Sequence, residues 1–529
     1  MLFGVLIVVV VLFGLLYWYL KDYMRTGALK KSALIGNKIP MEREKFIPLL
    51  RSAVVASVKA KLGGDGKAVD KLLDKLALTV QLENRALLAD LVADFELVDP
   101  TASKVQRASV SKERRAAAEQ RFLRNFMLMM DKANFKMLTK QELDFAEAEQ
   151  YLLHIPITSD WEKIDQTLLP AFFDSTDGKK HHTEHAAAVN KRVVVWRRGV
   201  GVDQTTGLLL TEKIDVLMER LFEGAAEKLI RTSVWQQLAG EPAPPLAAAP
   251  AAADASNVEA VERISLKDQP INVAYFTKPS TIQEPTFKEV VALFRYSETA
   301  EKSDPTRDSA TLHIKTFRDI PLGDLDIIFP AQKVLFKTVD FFRLAITGVL
   351  GLYFAIDQIG DVFRGEGVDV TAMTAAVGFL MFALNTYWNV QWAVDVYKTI
   401  LSETLYNRSS DSHRGVILYL TEALETQEFK EALIAYAIAL QAAAPITEKE
   451  LDQRCEAFIR AELDAVPPPP GTVRARTPSV DFEVDDATDK IIRFGLARAT
   501  GERDARIITA LPVNEALLAI QKYVGTLTN

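Results

Sequence analysis

Three of the chain's six histidines fall within five residues, in His181-His182-Thr183-Glu184-His185. On a helix, His181 and His185 would share one face and could bind zinc, with Glu184 or a distant ligand completing the set. The pattern is not HExxH, because no glutamate follows the first histidine where a metalloprotease base belongs. It lies in the polar run DSTDGKKHHTEH, so a solvated loop competes with the metal reading. A second candidate set is Arg198, Asp203, Lys213 and Asp215, charges around and beyond Gly199 and Gly201 that a buried sheet would not need. They mark where a ligand pocket would be sought. The glycine spacing is neither GxGxxG nor GxxxxGK[ST], so a strand-to-turn device competes there. Nucleophilic catalysis has no motif behind it: GxSxG is absent, and Cys455 sits in the charged helical stretch LDQRCEAFIRAEL. No catalytic residue and no cofactor is read from the sequence.

Composition bounds the elements that could position such groups. A chain of 529 residues has room for three or four domains at roughly 150 residues each. A formal net charge of −7 argues against a polyanion binder, so nucleic acid is not an expected partner. A single cysteine excludes an internal disulfide.

Apolar runs carry the next expectation. Leu2 to Leu20 holds no charge and ends in Tyr17-Trp18-Tyr19. At 1.5 Å per residue it covers about 28 Å, near the hydrocarbon thickness of a bilayer, and reads as a retained anchor. Lys21, Arg25, Lys30 and Lys31 follow it, placing the rest of the chain inside. A two-helix hairpin is expected from Val339–Ile359 and Thr371–Val394, with Arg343 and Asp357 reaching opposite interfaces. The connecting segment is acidic, whereas Lys333, Lys337 and Lys398 flank the pair, so residues 21–335 and 395–529 fall on one side. Within the second helix Asn385, Asn389 and Gln391, with Trp388 and Trp392, would join helices or anchor at an interface.

Outside these runs the periodicity changes several times. Helical spacing begins at Lys67 and again over Arg121–Ala133, where Met127, Met129 and Met130 read as adaptable core. Thr139 with Glu142 three residues on is a capping box heading another helix. Lys191–Gly199 reads as a strand ending in a turn, Phe287–Tyr296 and Thr311–Phe317 as two more strands. The Ala/Pro-rich stretch at 241–256 reads as a linker or loop, and Val416–Ala444 as an Ala-rich helix. Beyond the tetraproline 467–470, Ser479–Ala499 reads as strand, helix and glycine stop, so residues from 447 onward could form a winged-helix-like module.

Five blocks, in order, resemble one family. They are REKFIPLL (Arg43–Leu50), FKMLTKQELDFA (Phe135–Ala146), VVVWRRGVGVDQTTGLLLTEKIDVL (Val193–Leu217), HIKTFRDIPLGDLDIIFP (His313–Pro330) and LYNRSSDSHRGVILYLTEALETQEFKEALIAY (Leu405–Tyr436). Together they resemble the family of membrane proteins of unknown function (DUF3754) that includes transmembrane protein 143, over roughly residues 40–510. The resemblance implies an integral membrane protein with a double-span hairpin and supplies no reaction.

The resulting expectation is a predominantly helical, membrane-anchored α+β protein with a small mixed sheet. Its regions are an anchor at 1–20, a helical region at 21–150, an α+β region at 151–330, a hairpin at 331–394 and a helical C-terminal region at 395–529. The leading function is a membrane-tethered scaffold or regulator that is not an enzyme. Expected partners are the lipid bilayer and a protein partner or second copy, at a bacterial inner or organelle inner membrane. The alternatives are a membrane-associated enzyme using Arg198, Asp203, Lys213 and Asp215 or metal at His181 and His185, and an oligomeric channel or carrier.

Overall fold

Valine, tryptophan and phenylalanine dominate residues 193–196 and 287–294, and side chains of these kinds fit a pleated, enclosed surface. Both segments form long central strands in the computed structural model. The structure describes residues 38–62, 66–102, 110–148, 157–181, 186–210, 212–214, 216–217, 220, 258–334, 370–442, 444–467, 479–501 and 506–528.

The first third is mainly helical. It runs β1 (Lys38–Glu42), α1 (Arg51–Leu62), α2 (Gly66–Glu96), α3 (Lys112–Lys132), β2 (Lys136–Met137) and α4 (Lys140–Ala148). Next come β3 (Ile157–Ser159), α5 (Leu168–Asp174), β4 (Val193–Gly207), β5 (Val258–Glu262), α6 (Val273–Thr277) and β6 (Ser280–Arg295). They are followed by α7 (Glu298–Ser303), β7 (Leu312–Pro321), a 3-10 segment at Leu322–Ile328 and β8 (Gln332–Val334). The last part holds α8 (Val370–Arg408), β9 (Ser409–Ser412), α9 (Arg414–Gln441), β10 (Ile446–Thr447), α10 (Glu448–Ala465) and α11 (Val484–Arg493). It closes with β11 (Ala497–Thr500), β12 (Ile507–Ala510) and α12 (Val513–Thr528).

The main sheet has the order β2-β4-β6-β7-β9, with every ladder antiparallel. Alternation along β4 sends Val194 and Trp196 into one core with α3, α5 and the first half of α9, and Val193 and Val195 into another with α4 and the 3-10 segment. A third core joins α1, the first half of α2, the second half of α9 and the C-terminal elements. In that last part α9, β10, α10, α11, β11 and β12 follow one another, and the small sheet has the order β10-β12-β11.

Two helices cross between cores. The helix α2 lends Leu72, Leu76 and Val80 to the C-terminal core and Leu91 and Phe95 to the sheet core. Likewise α9 lends Val416, Ile417 and Leu420 to the sheet core and Phe429–Ala439 to the other. At 1.5 Å per residue the 28 residues of α9 extend about 42 Å, long enough to serve both.

The transmembrane fold expected from the sequence is overturned where the structure describes it, at Thr371–Val394. Among the described residues no helix is long and apolar enough to cross a membrane. The expected span Thr371–Val394 forms part of α8, one continuous helix. Its uninterrupted apolar portion stops before Asn385, with Asn389, Gln391, Asp395 and Lys398 beyond, short of the roughly 20 apolar residues a span needs. Among the described residues the fold is α+β, and none of their helices supplies the transmembrane span that was expected. The expected anchor Leu2–Leu20, the hairpin helix Val339–Ile359 and the Ala/Pro stretch at 241–256 lie outside the described residues.

A second correction concerns Gly199. The strand does not end there: β4 pairs with β6 from Val193↔Phe294 to Gly207↔Ser280. Gly199 takes φ +73 within it, and its N–H donates to Glu44 at 2.6 Å. Glycine is needed because the left-handed region strains any residue carrying a Cβ.

Candidate functional site: a buried ionic waist

Between the sheet core and the C-terminal core lies a belt of polar side chains. Its centre is Lys490 on α11, 2% exposed, whose Nζ meets Glu431 at 2.6 Å, Glu428 at 2.7 Å and Asp486 at 2.5 Å. Burial opposes charge on Lys490, but Glu431, Glu428 and Asp486 outweigh it and hold its pKa well above the ordinary lysine value. Glu428 is pushed up by its own burial, with Lys490 pulling the other way. The second oxygen of Glu431 accepts from Asn134 and from Gln427, both at 2.8 Å. Asn134 and Gln427 also donate to the Lys45 carbonyl at 3.2 and 3.3 Å.

One turn along α9, Lys430 donates to the carbonyls of Ile47 at 2.6 Å and Leu49 at 3.2 Å. Burial first, then the Arg198 charge, brings its pKa down to about 8. Segment 43–49 is thus threaded through the waist. It is also tied to the C-terminal module through Arg43–Glu456 and Lys45–Glu483, both at 2.5 Å.

Arg197 and Arg198 adjoin on β4, so they leave the sheet on opposite faces. Arg197, 1% exposed, pairs with Glu44 and, at 2.5 Å, with Glu142. Glu142 is also the capping-box residue, its Oε2 accepting from the Thr139 N–H and hydroxyl at 2.9 Å while its own N–H donates to the Thr139 hydroxyl at 3.2 Å. Arg198 binds Glu289 on the neighbouring strand and donates to the Ala133 carbonyl at 2.8 Å. Its guanidinium lies 4.2 Å from the Phe135 ring centroid and 4.5 Å from that of Phe46.

The remaining candidates fall elsewhere. Asp203 is five positions along β4 from Arg198, about 17 Å at the strand rise, and faces the other side. Lys213 is fully buried, its Nζ donating to the Lys278 carbonyl at 2.8 Å near the Tyr275 ring. Asp215 lies outside the described residues. The structure does not bring Arg198, Asp203 and Lys213 to one place.

His181 sits at the end of a short 3-10 turn, its Nδ1 3.1 Å from Asp131 on α3. Burial raises the pKa of Asp131, with His181 opposing. His185 lies outside the described residues, and no group of three or more His, Cys, Asp or Glu is arranged for a metal among those described.

Sequence reasoning missed Gln427, Glu428, Lys430, Glu431 and Lys490. A signal existed: QEFKEALIAY interleaves charges with Ala, Leu and Ile on more than one side of α9, where a surface helix would segregate them.

The surface has a different character at α8. Val377, Leu380, Met381, Leu384, Trp388 and Trp392 are each between 46% and 71% exposed. These residues fall in the part of the chain that has a known counterpart. Residues 287–415, spanning most of β6 through the start of α9, match the model of a family described as a protein of unknown function, DUF3754. The match defines a domain of unknown function over well under half of the chain. No curated protein and no solved structure matches the chain.

Proposed function

We propose that the chain is a non-enzymatic interaction scaffold in which α8 is the docking element for a protein partner. One observation carries the reading: a run of large apolar side chains on α8 stands exposed beside a body whose buried charges are committed to internal partners. Contiguous exposed apolar surface marks interaction sites, because leaving it in water costs about 25 cal/mol per Å². Arg197, Arg198, Lys430 and Lys490 each bind groups within the chain, so the waist supports a rigid platform better than a reaction.

A photo-crosslinking residue placed at Leu380 or Trp388 in the full-length chain tests this in cells. A discrete protein adduct is expected from both positions and none from Leu518, an equally exposed residue on α12. Leu384→Ser should abolish the adduct. Equal labelling from Leu518, or no adduct from α8, would overturn the reading.

A further inference from the structure

The turn between β9 and α9 concentrates strain on a titratable residue. His413, the N-cap of α9, has φ +55 and ψ −123, a conformation that glycine alone adopts without cost. Its main-chain N–H donates to the Ile314 carbonyl at 2.8 Å, and its carbonyl accepts from the Val416 N–H at 3.1 Å. The imidazole Nδ1 is buried and makes no hydrogen bond. Its ring lies edge-on to His313 at 5.4 Å, and His313 in turn stacks on Phe294 at 5.3 Å and meets Tyr296 at 4.8 Å.

Charged neighbours approach from several elements: Asp99 from the loop after α2, Lys315 from β7, and Arg414 and Asp411 from the flanking residues. Burial holds His413 below the ordinary histidine value, with Asp99 opposing and Lys315 reinforcing. A neutral ring leaves only a lone pair unmatched. Protonation would add a charge near Lys315 and an unpaired N–H donor in the same enclosed place.

We propose that His413 is the trigger of an acid-sensitive hinge between β9 and α9, which controls how firmly the chain following α8 is held on the sheet. Because the folded state favours the neutral ring, the hinge contact is fully present above about pH 6.5 and is lost as pH falls below it. Opening also releases the backbone strain, so charge and conformation act in one direction. The proposal goes beyond the scaffold reading and does not depend on it.

Hydrogen exchange of the full-length protein, corrected for intrinsic rates and read at residues 409–420, tests the hinge. Between about pH 7.5 and about pH 5.5, local opening should increase several-fold, up to about tenfold, because only about one pH unit of that window lies below the ordinary histidine value. His413→Gly accepts the backbone conformation and removes the ring, so it should open less than the parent and show no pH step. His413→Ala should keep the strain but lose the step. His313→Phe preserves the stacking and should keep the step. A flat profile in the parent, a surviving step in His413→Gly, or a step abolished by His313→Phe would overturn the proposal. Each readout is local and involves no partner.

Discussion

Lys490 on α11 and Glu431 on α9 meet at 2.6 Å with both side chains only 2% exposed, joining the C-terminal module to the helix that spans two cores. A charge so enclosed is tolerable only while its counter-charges remain. Lys490→Met should destabilise the protein by about 3–5 kcal/mol, leaving Glu431 buried without its cation and Glu428 with only Lys132 at 4.0 Å. Denaturant titration reads the loss. Adding Glu431→Gln to that variant should restore part of it, and strictly additive effects would show that the pair is not coupled.

The capping box makes a smaller prediction. Thr139→Ala removes the hydroxyl that accepts from the Glu142 N–H and donates to its carboxylate. It should cost about 1 kcal/mol, the usual value of an N-cap. Thr139→Ser should restore most of that stability in thermal melts.

Asp452 on α10 offers a test against pH. Burial first, then Glu456 and Asp481, pushes its carboxyl up to about 6, and its Oδ1 has no hydrogen-bond partner. A raised folded-state value favours the protonated form, so the penalty is absent below about pH 4 and complete above about pH 6. Asp452→Asn should therefore stabilise the protein near pH 7 by about 1 kcal/mol, once discounted for the partly buried position, and leave it unchanged near pH 4. Equal stabilisation at both pH values would contradict this account.

Residues 287–415 should not fold as an isolated fragment. The cut falls inside β6 and removes β4, its ladder partner from Val193 to Gly207. Cooperative unfolding of the purified fragment would contradict the expectation.

Much of the local structure could be read directly. The Thr139–Glu142 box forms as expected, and Met127, Met129 and Met130 are buried. The strands expected at Phe287–Tyr296 and Thr311–Phe317 appear as β6 and β7. These features depend on neighbours within a few residues. The waist was not legible, because Lys45, Asn134, Gln427, Glu431 and Lys490 acquire their meaning only when distant segments meet. Gly199 misled for a related reason: its positive φ serves Glu44, a residue 155 positions earlier, rather than a turn. Arg198 looked like a spare charge because Glu289, which neutralises it, lies on another strand. The apolar appearance of Thr371–Val394 outweighed the asparagines in it, and the transmembrane expectation failed there.

Segment 43–49 has a consequence for synthesis. Its bonds to Gln427, Lys430, Glu456 and Glu483 close gaps of roughly 380 to 440 residues, so none can form until the ribosome has made nearly the whole protein. At about 5–20 residues per second, that stretch waits some tens of seconds for its mates. During that wait Ile47 and Leu49, destined for the C-terminal core, are open to misassociation. Newly made protein should accordingly lean on chaperones more heavily than its finished stability would suggest.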